Sequence, residues 1–151
     1  MTFLLYVVSI AVVVSMATGE ESLGKARPRH KRNLIQMCGF MRHYTGRRCL
    51  SYNKYGCYCG FRTSTVTPVD EVDGCCRQHD VCYQTLKQWC TWRPMFITYG
   101  KSCGSSGCTC TDSPTRKPCD YNTCQCDLSF AQCLQTAGYN QRFRRYNTNN
   151  C

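Results

Sequence analysis

Two pairs of cysteines seven residues apart constrain this chain most: Cys75 with Cys82, and Cys126 with Cys133. Seven residues span nearly two helical turns, about 10.5 Å along one face. If both pairs stand on helices and the helices lie antiparallel, Cys75 meets Cys133 and Cys82 meets Cys126 in one register. Cys90 and Cys119 extend the same ladder. A disulfide needs Cα atoms about 5–6 Å apart, closer than the usual axis spacing of about 8–10 Å, so two such staples fix the pair tightly. With 16 Cys in 151 residues, the chain has the density of a disulfide scaffold. That points to an oxidising, extracellular compartment and argues against zinc held by the Cys-x-Cys pairs.

The first residues agree with export. Phe3 to Val14 form an apolar run with small residues after it at Ser15, Ala17 and Gly19, the pattern of a signal peptide over residues 1–19. The run is shorter than the ~20 apolar residues of a membrane span, which disfavours an anchor. A polar stretch then ends in Arg29-His30-Lys31-Arg32, the pattern of a propeptide over 20–32 cleaved after Arg32. A basic surface arm is the other reading of that stretch. One domain, 33–151, follows with all 16 cysteines and no linker or repeat.

Leu34, Met37, Phe40 and Met41 recur at helical spacing and predict an N-terminal helix of two to three turns from Asn33. The acids Asp70, Glu71 and Asp73 mark the start of a second helix, which runs to about Lys87. A small hairpin is expected between Phe96 and Thr111, and a third helix from about Tyr121 to Ala137.

The staples place His79 between them and bring Asp127 close to it. His79 and Asp80 diverge by about 100° on the helix, so Asp127 is the better partner for the imidazole. A carboxylate on one ring nitrogen leaves the other free to take a proton from water, which is general-base hydrolysis without a Ser or Cys nucleophile. Asp80 is left for a hard cation such as Ca²⁺. A His-Asp dipeptide by itself is more often structural. Its setting in Cys75-Cys76-Arg77-Gln78-His79-Asp80-Val81-Cys82-Tyr83 is what favours chemistry here.

That nonapeptide resembles the secreted phospholipase A2 family. So do Tyr55-Gly56-Cys57-Tyr58-Cys59-Gly60, the Pro68 and Asp70 positions, and Cys124-Gln125-Cys126-Asp127. Together they cover essentially all of 33–151. Asn33-Leu34-Ile35-Gln36 matches the family's usual N-terminus, with Gln at its fourth residue. The resemblance implies a mainly α, disulfide-rich fold: an N-terminal helix, a calcium-loop-like segment, two long antiparallel disulfide-stapled helices and a small β-hairpin. It implies hydrolysis of the sn-2 ester of glycerophospholipids by water, with His79 as base, Asp127 as its support, and Ca²⁺ on Asp80 and the backbone carbonyls of Tyr58, Gly60 and Arg62. Gln36, Tyr83 and Tyr99 would support this site together with the amino group freed at Asn33. The resemblance also implies bridges Cys57–Cys151 and Cys59–Cys76, besides those between Cys75 and Cys133, Cys82 and Cys126, and Cys90 and Cys119. Cys124 would pair with Cys110 or Cys108, and Cys103 with Cys49 or Cys38, leaving one N-terminal and one hairpin Cys for an eighth bridge.

The loop after Phe61 departs from the family, which has two consecutive Gly there and a third soon after. This chain reads Arg62-Thr63-Ser64-Thr65-Val66-Thr67-Pro68. A residue other than Gly forced to φ > 0 costs about 1–2 kcal/mol, which would weaken the metal. The alternative function is therefore a weakly active or inactive phospholipase-like binding protein acting on a receptor, channel or mineral surface. From Asn33 onward 14 Lys or Arg stand against 7 Asp or Glu. That excess suits an anionic phospholipid surface, with Arg42, Arg47, Arg48, Arg142, Arg144 and Arg145 as cations and Leu34, Ile35 and Met37 as apolar contacts. A merely solvated basic face is the plainer reading. Nucleic acid fits the charge but not the compartment.

Overall fold

Asp70 holds an extended backbone (φ −162°) ahead of Glu71 and Asp73, and its Oδ1 accepts from the Asp73 N–H at 2.9 Å. That cap opens α2, Glu71–Leu86, whose first turn carries the acids a helix dipole favours. Pro118 opens α3, Pro118–Thr136, where its fixed φ suits a first helical turn and its missing N–H removes no bond. The helix starts three residues before the sequence expectation for that reason. α1 runs His30–Thr45 and stops at Gly46, which takes φ 67° and returns its N–H to Arg42 O at 3.0 Å. It is longer than the predicted two to three turns at both ends: no Pro or Gly stands between His30 and Asn33, the nearest Pro being Pro28, and the helix runs through Gly39 to stop at Gly46.

The computed structural model describes residues 30–60, 64–90 and 93–151, with side chains from Asn33 onward except that of Thr148. The expected signal peptide, nearly all of the expected propeptide, and Arg62 of the calcium-loop-like segment lie outside the described residues.

α2 and α3 lie antiparallel, joined by Cys75–Cys133 and Cys82–Cys126 with Cα atoms 5.8 and 5.9 Å apart. Cys90–Cys119, at 5.8 Å, continues the row beyond the end of α2. Cys59–Cys76 ties the loop before α2 to that helix, and Cys57–Cys151 ties it to the C-terminus. α1 packs on α3, and its Phe40 and Met41 enter a core shared with Tyr52, Tyr55, Val72 and Leu128. β1, Lys101–Gly104, and β2, Gly107–Cys110, form an antiparallel hairpin.

The hairpin corrects the expected cysteine pairing. Cys103 stands directly opposite Cys108 in the register and bonds to it, rather than to Cys38 or Cys49. Cys38 and Cys49 bond to each other across the end of α1, and Cys110 takes Cys124. The eighth bridge exists, but none joins the N-terminal region to the hairpin. Register proximity decides this: a cross-strand neighbour is already within bonding reach, while α1 presents Cys38 to the turn that follows it.

Asp73 organises the loop that leads to α2. It is fully buried and accepts from the N–H groups of Cys57 (3.0 Å), Tyr58 (2.7 Å) and Val69 (3.0 Å). Gly56, at φ 53°, passes so close that a Cβ would lie 2.3 Å from the Asp73 carboxyl carbon, so only Gly fits. Hydrogen bonds to a charged group are worth about 1.5–3 kcal/mol each, and an amide cannot replace them all. Asp73→Asn is expected to lower the unfolding free energy by about 3 kcal/mol in denaturant titrations with the disulfides intact. A loss below about 1 kcal/mol would contradict this role.

Candidate active site

Asp127 follows the Cys82–Cys126 staple on α3 and has no exposed surface. A carboxylate withdrawn from water must be met by donors, and three converge on it. Its Oδ1 lies 2.8 Å from His79 Nε2 and accepts from the Tyr83 hydroxyl at 2.7 Å. Its Oδ2 accepts from the Tyr99 hydroxyl at 2.5 Å. His79 and Tyr83 stand four apart on α2, so one helix face supplies both. Burial first, and the Asp127 charge second, push both phenols well above their ordinary range, so they remain protonated and donate.

The carboxylate at Nε2 selects the tautomer with its proton there, which leaves the Nδ1 lone pair free. The imidazole is held between two rings, Tyr83 at 4.3 Å and Phe130 at 4.6 Å between centroids. Phe130 is three residues beyond Asp127 on α3, so the helix that supplies the carboxylate also supplies the stacking ring.

α1 fixes the far side of this network. Gln36 brackets the Tyr99 backbone, its Nε2 donating to Tyr99 O and its Oε1 accepting from Tyr99 N–H at 3.3 Å. Asn33 is buried and donates through Nδ2 to Ile97 O at 2.8 Å and Pro94 O at 3.3 Å, while its Oδ1 lies 3.3 Å from the Tyr83 hydroxyl. His79 and Asp127, brought together by the cysteine spacing, and Gln36, Tyr83 and Tyr99, implied by the family resemblance, therefore meet in one network, which the Asn33 side chain also joins.

His79 opens on a cavity of about 280 Å³. Tyr58, Gly60 and Asp80 line it together with His79, and Leu34, Met37, Leu50, Met95 and Phe130 supply an apolar wall. Gly60 takes φ 122°, which a side chain would strain. Burial raises the Asp80 carboxyl from 3.8 to about 6, with electrostatic contributions from His79 and Lys87 offsetting part of the rise. Asp80 has no hydrogen bond or ion pair among the described residues. A half-buried carboxylate that lines one cavity with Tyr58 and Gly60 offers the oxygen chemistry that a hard divalent cation such as Ca²⁺ takes.

Periodicity could have found Phe130, since it shares a face with Asp127. Leu50 and Met95 had no such signal, because they come from short turns after α1 and before the hairpin.

A phospholipase A2 family model matches residues 34–144. The basic phospholipase A2 nigroxin A of Micrurus nigrocinctus is 39% identical over 110 residues, covering 73% of this chain and 91% of that protein. Nigroxin B of the same snake matches to the same extent. A basic phospholipase A2 of Micrurus corallinus is 36% identical over 121 residues, covering 79% of this chain and 81% of that protein. With its helices, hairpin and eight bridges arranged around this network, the chain belongs to the secreted phospholipase A2 family.

Proposed function

We propose that this chain is a secreted, calcium-dependent phospholipase A2 that cleaves the sn-2 ester of glycerophospholipids with a His79–Asp127 dyad. The observation that carries the reading is the 2.8 Å contact between His79 Nε2 and a buried carboxylate, with the ring open to a largely apolar cavity. Family membership supports phospholipid hydrolysis at membranes.

His79 Nδ1 takes a proton from a water as its oxygen attacks the ester carbonyl carbon. Asp127 stabilises the imidazolium that forms and keeps the ring in place. When the tetrahedral adduct collapses, the bond to the sn-2 oxygen breaks and the imidazolium returns its proton to that oxygen. A free fatty acid and a lysophospholipid leave. Asp80, with the carbonyls of Tyr58, Gly60 and Arg62, would hold Ca²⁺, which supplies Lewis-acid polarisation of the ester when bound. The Gly60 N–H is the backbone donor assigned to the oxyanion.

Leu34 and Leu50 line the cavity mouth and are 45% and 72% exposed, and Ile35 beside them is 67% exposed. These side chains, together with the exposed Arg42, Arg47 and Arg48, suit contact with an anionic phospholipid surface. Among the described residues no helix is long and apolar enough to cross a membrane, so surface contact is the mode this reading uses. Cleavage after Arg32 belongs to the same reading, because it would free an amino group at Asn33, beside the Tyr83–Asp127 bonds. The second reading, a phospholipase-like ligand for a receptor, channel or mineral surface with little turnover, is favoured by the absence of Gly between Phe61 and Pro68.

Ca²⁺-dependent fatty-acid release from anionic vesicles, by the chain starting at Asn33, separates the two. His79→Gln is expected to lower the rate by about 10³-fold or more. Equal rates from this variant, or with chelator present, would favour the second reading. The chain starting at Asn33 should act severalfold faster than one retaining residues 20–32; equal rates would remove the zymogen role. Asp80 supplies a pH-dependent check. Its pKa rises on folding, so its stabilising contribution in metal-free protein is whole below about pH 4 and lost as pH rises through about 6. Asp80→Asn is expected to raise the thermal midpoint of the metal-free chain at pH 8, to leave it nearly unchanged at pH 4, and to abolish the stabilisation that added Ca²⁺ gives at pH 8.

A further inference from the structure

Among the described residues only two other than glycine take a left-handed backbone: Lys54, φ 62°, and Arg145, φ 54°. Both line one cavity of about 610 Å³, with Arg144 beside them. The backbone locks this arrangement. Lys54 N–H donates to Cys59 O and Lys54 O accepts from Tyr146 N–H, each at 3.0 Å, while Gly56 N–H donates to Phe143 O at 3.0 Å. Glycine at either position would relieve the conformation at once, so what Lys and Arg add there resides in their side chains.

The lining is chemically one-sided. Among the described residues it holds three exposed cations, the amides of Asn53 and Asn147, and no acid. None of Lys54, Arg144 and Arg145 has an ion pair among the described residues; the acids that are paired there meet Lys117 or His79. Two guanidinium forks and an ammonium around a concave wall match the oxygens of a phosphate, with the forks setting orientation and the ammonium adding charge. Leu50 and Asn53 line both this cavity and the one at His79, so the two share a rim without sharing a floor.

We propose that Lys54, Arg144 and Arg145 form a second, non-catalytic site for a phosphate dianion, supplied by the monoester of a lipid headgroup or by free phosphate. A headgroup bound there would hold a neighbouring lipid beside the catalytic cavity and leave that cavity open. The site does not depend on the proposed hydrolysis, and its test is run without Ca²⁺ so that the two fail separately.

The full chain starting at Asn33, in chelator, is titrated with phosphatidylcholine vesicles doped with phosphatidic acid, and with the same vesicles doped with phosphatidylglycerol, which lacks the monoester. Inorganic phosphate is titrated calorimetrically in parallel. Lys54→Gly with Arg145→Gly is compared with Lys87→Gln and Arg116→Gln, which removes the same charge from exposed positions elsewhere. The glycine pair is expected to unfold no earlier than the parent, and to bind phosphatidic-acid vesicles about tenfold more weakly than the control pair, with a smaller gap on phosphatidylglycerol. Saturable phosphate heat that the glycine pair loses supports the site and assigns free phosphate as a sufficient ligand. A loss confined to vesicles supports it and assigns the headgroup. Equal weakening by both pairs means diffuse charge and overturns the proposal. Should the glycine pair unfold early, Lys54→Asn with Arg145→Asn takes its place under the same criteria, since Asn also tolerates the left-handed region.

Discussion

A buried carboxylate is expensive to keep charged, and Asp127 makes the rest of the architecture necessary. Removing it from water costs several kcal/mol unless hydrogen bonds replace the lost hydration. Those bonds come from two separate stretches of chain, His79 and Tyr83 on α2 and Tyr99 before the hairpin. None is held by Asp127 alone. The Cys75–Cys133 and Cys82–Cys126 staples fix α2 against α3 on both sides of His79, and Gln36 of α1 pins the Tyr99 backbone. The cross-links thus serve geometry as well as stability, because a slip of the two helices would leave the charge unmet.

Asp73 repeats the solution in another place. It too is fully buried without a cation, and it is met by three backbone N–H groups rather than by side chains. One acid therefore sets the imidazole and the other sets the peptide units at Cys57 and Tyr58, leading into Gly60. Both are tied to α2: Asp73 lies in its first turn, and Asp127 faces its middle. The orientation of α2 consequently controls the imidazole and the loop that leads to α2 together, and the Cys59–Cys76 bridge couples that loop to the same helix.

Much of this was legible because helices write periodic signals. Seven-residue Cys spacing located the α2–α3 staples, and acids ahead of an apolar run located the cap of α2 within a residue. The convergence of His79, Asp127, Tyr83, Tyr99 and Gln36 followed from those staples and the family resemblance. Sequence failed where contact depends on register or on turns. Cys103 and Cys108 pair because the strands place them opposite each other, and nothing in a five-residue spacing distinguishes that partner from Cys38 or Cys49. Asn33 was read as a chain start, not as a buried side chain, because its partners Pro94 and Ile97 lie in an irregular segment about sixty residues away. Leu50 and Met95 reach the cavity from turns, where apolar residues carry no period to read.

Composition understates how basic the outer surface is. Of the seven acids from Asn33 onward, Asp73 and Asp127 are fully buried, and Asp80 faces the cavity at His79. Asp70 bonds the Tyr55 hydroxyl, and Asp112 and Asp120 lie against Lys117. Only Glu71 is exposed. The cations are distributed in the opposite way: apart from half-buried Lys101, every described Lys and Arg from Asn33 onward is exposed. Burial of two acids and pairing or partial burial of four others therefore leave the surface with far more exposed cations than exposed acids. Such a field attracts polyanions over a Debye length of roughly 8–10 Å at moderate salt, and falls steeply as ionic strength rises. Internal satisfaction of the acids and outward attraction to anionic surfaces are then two consequences of one distribution of charge.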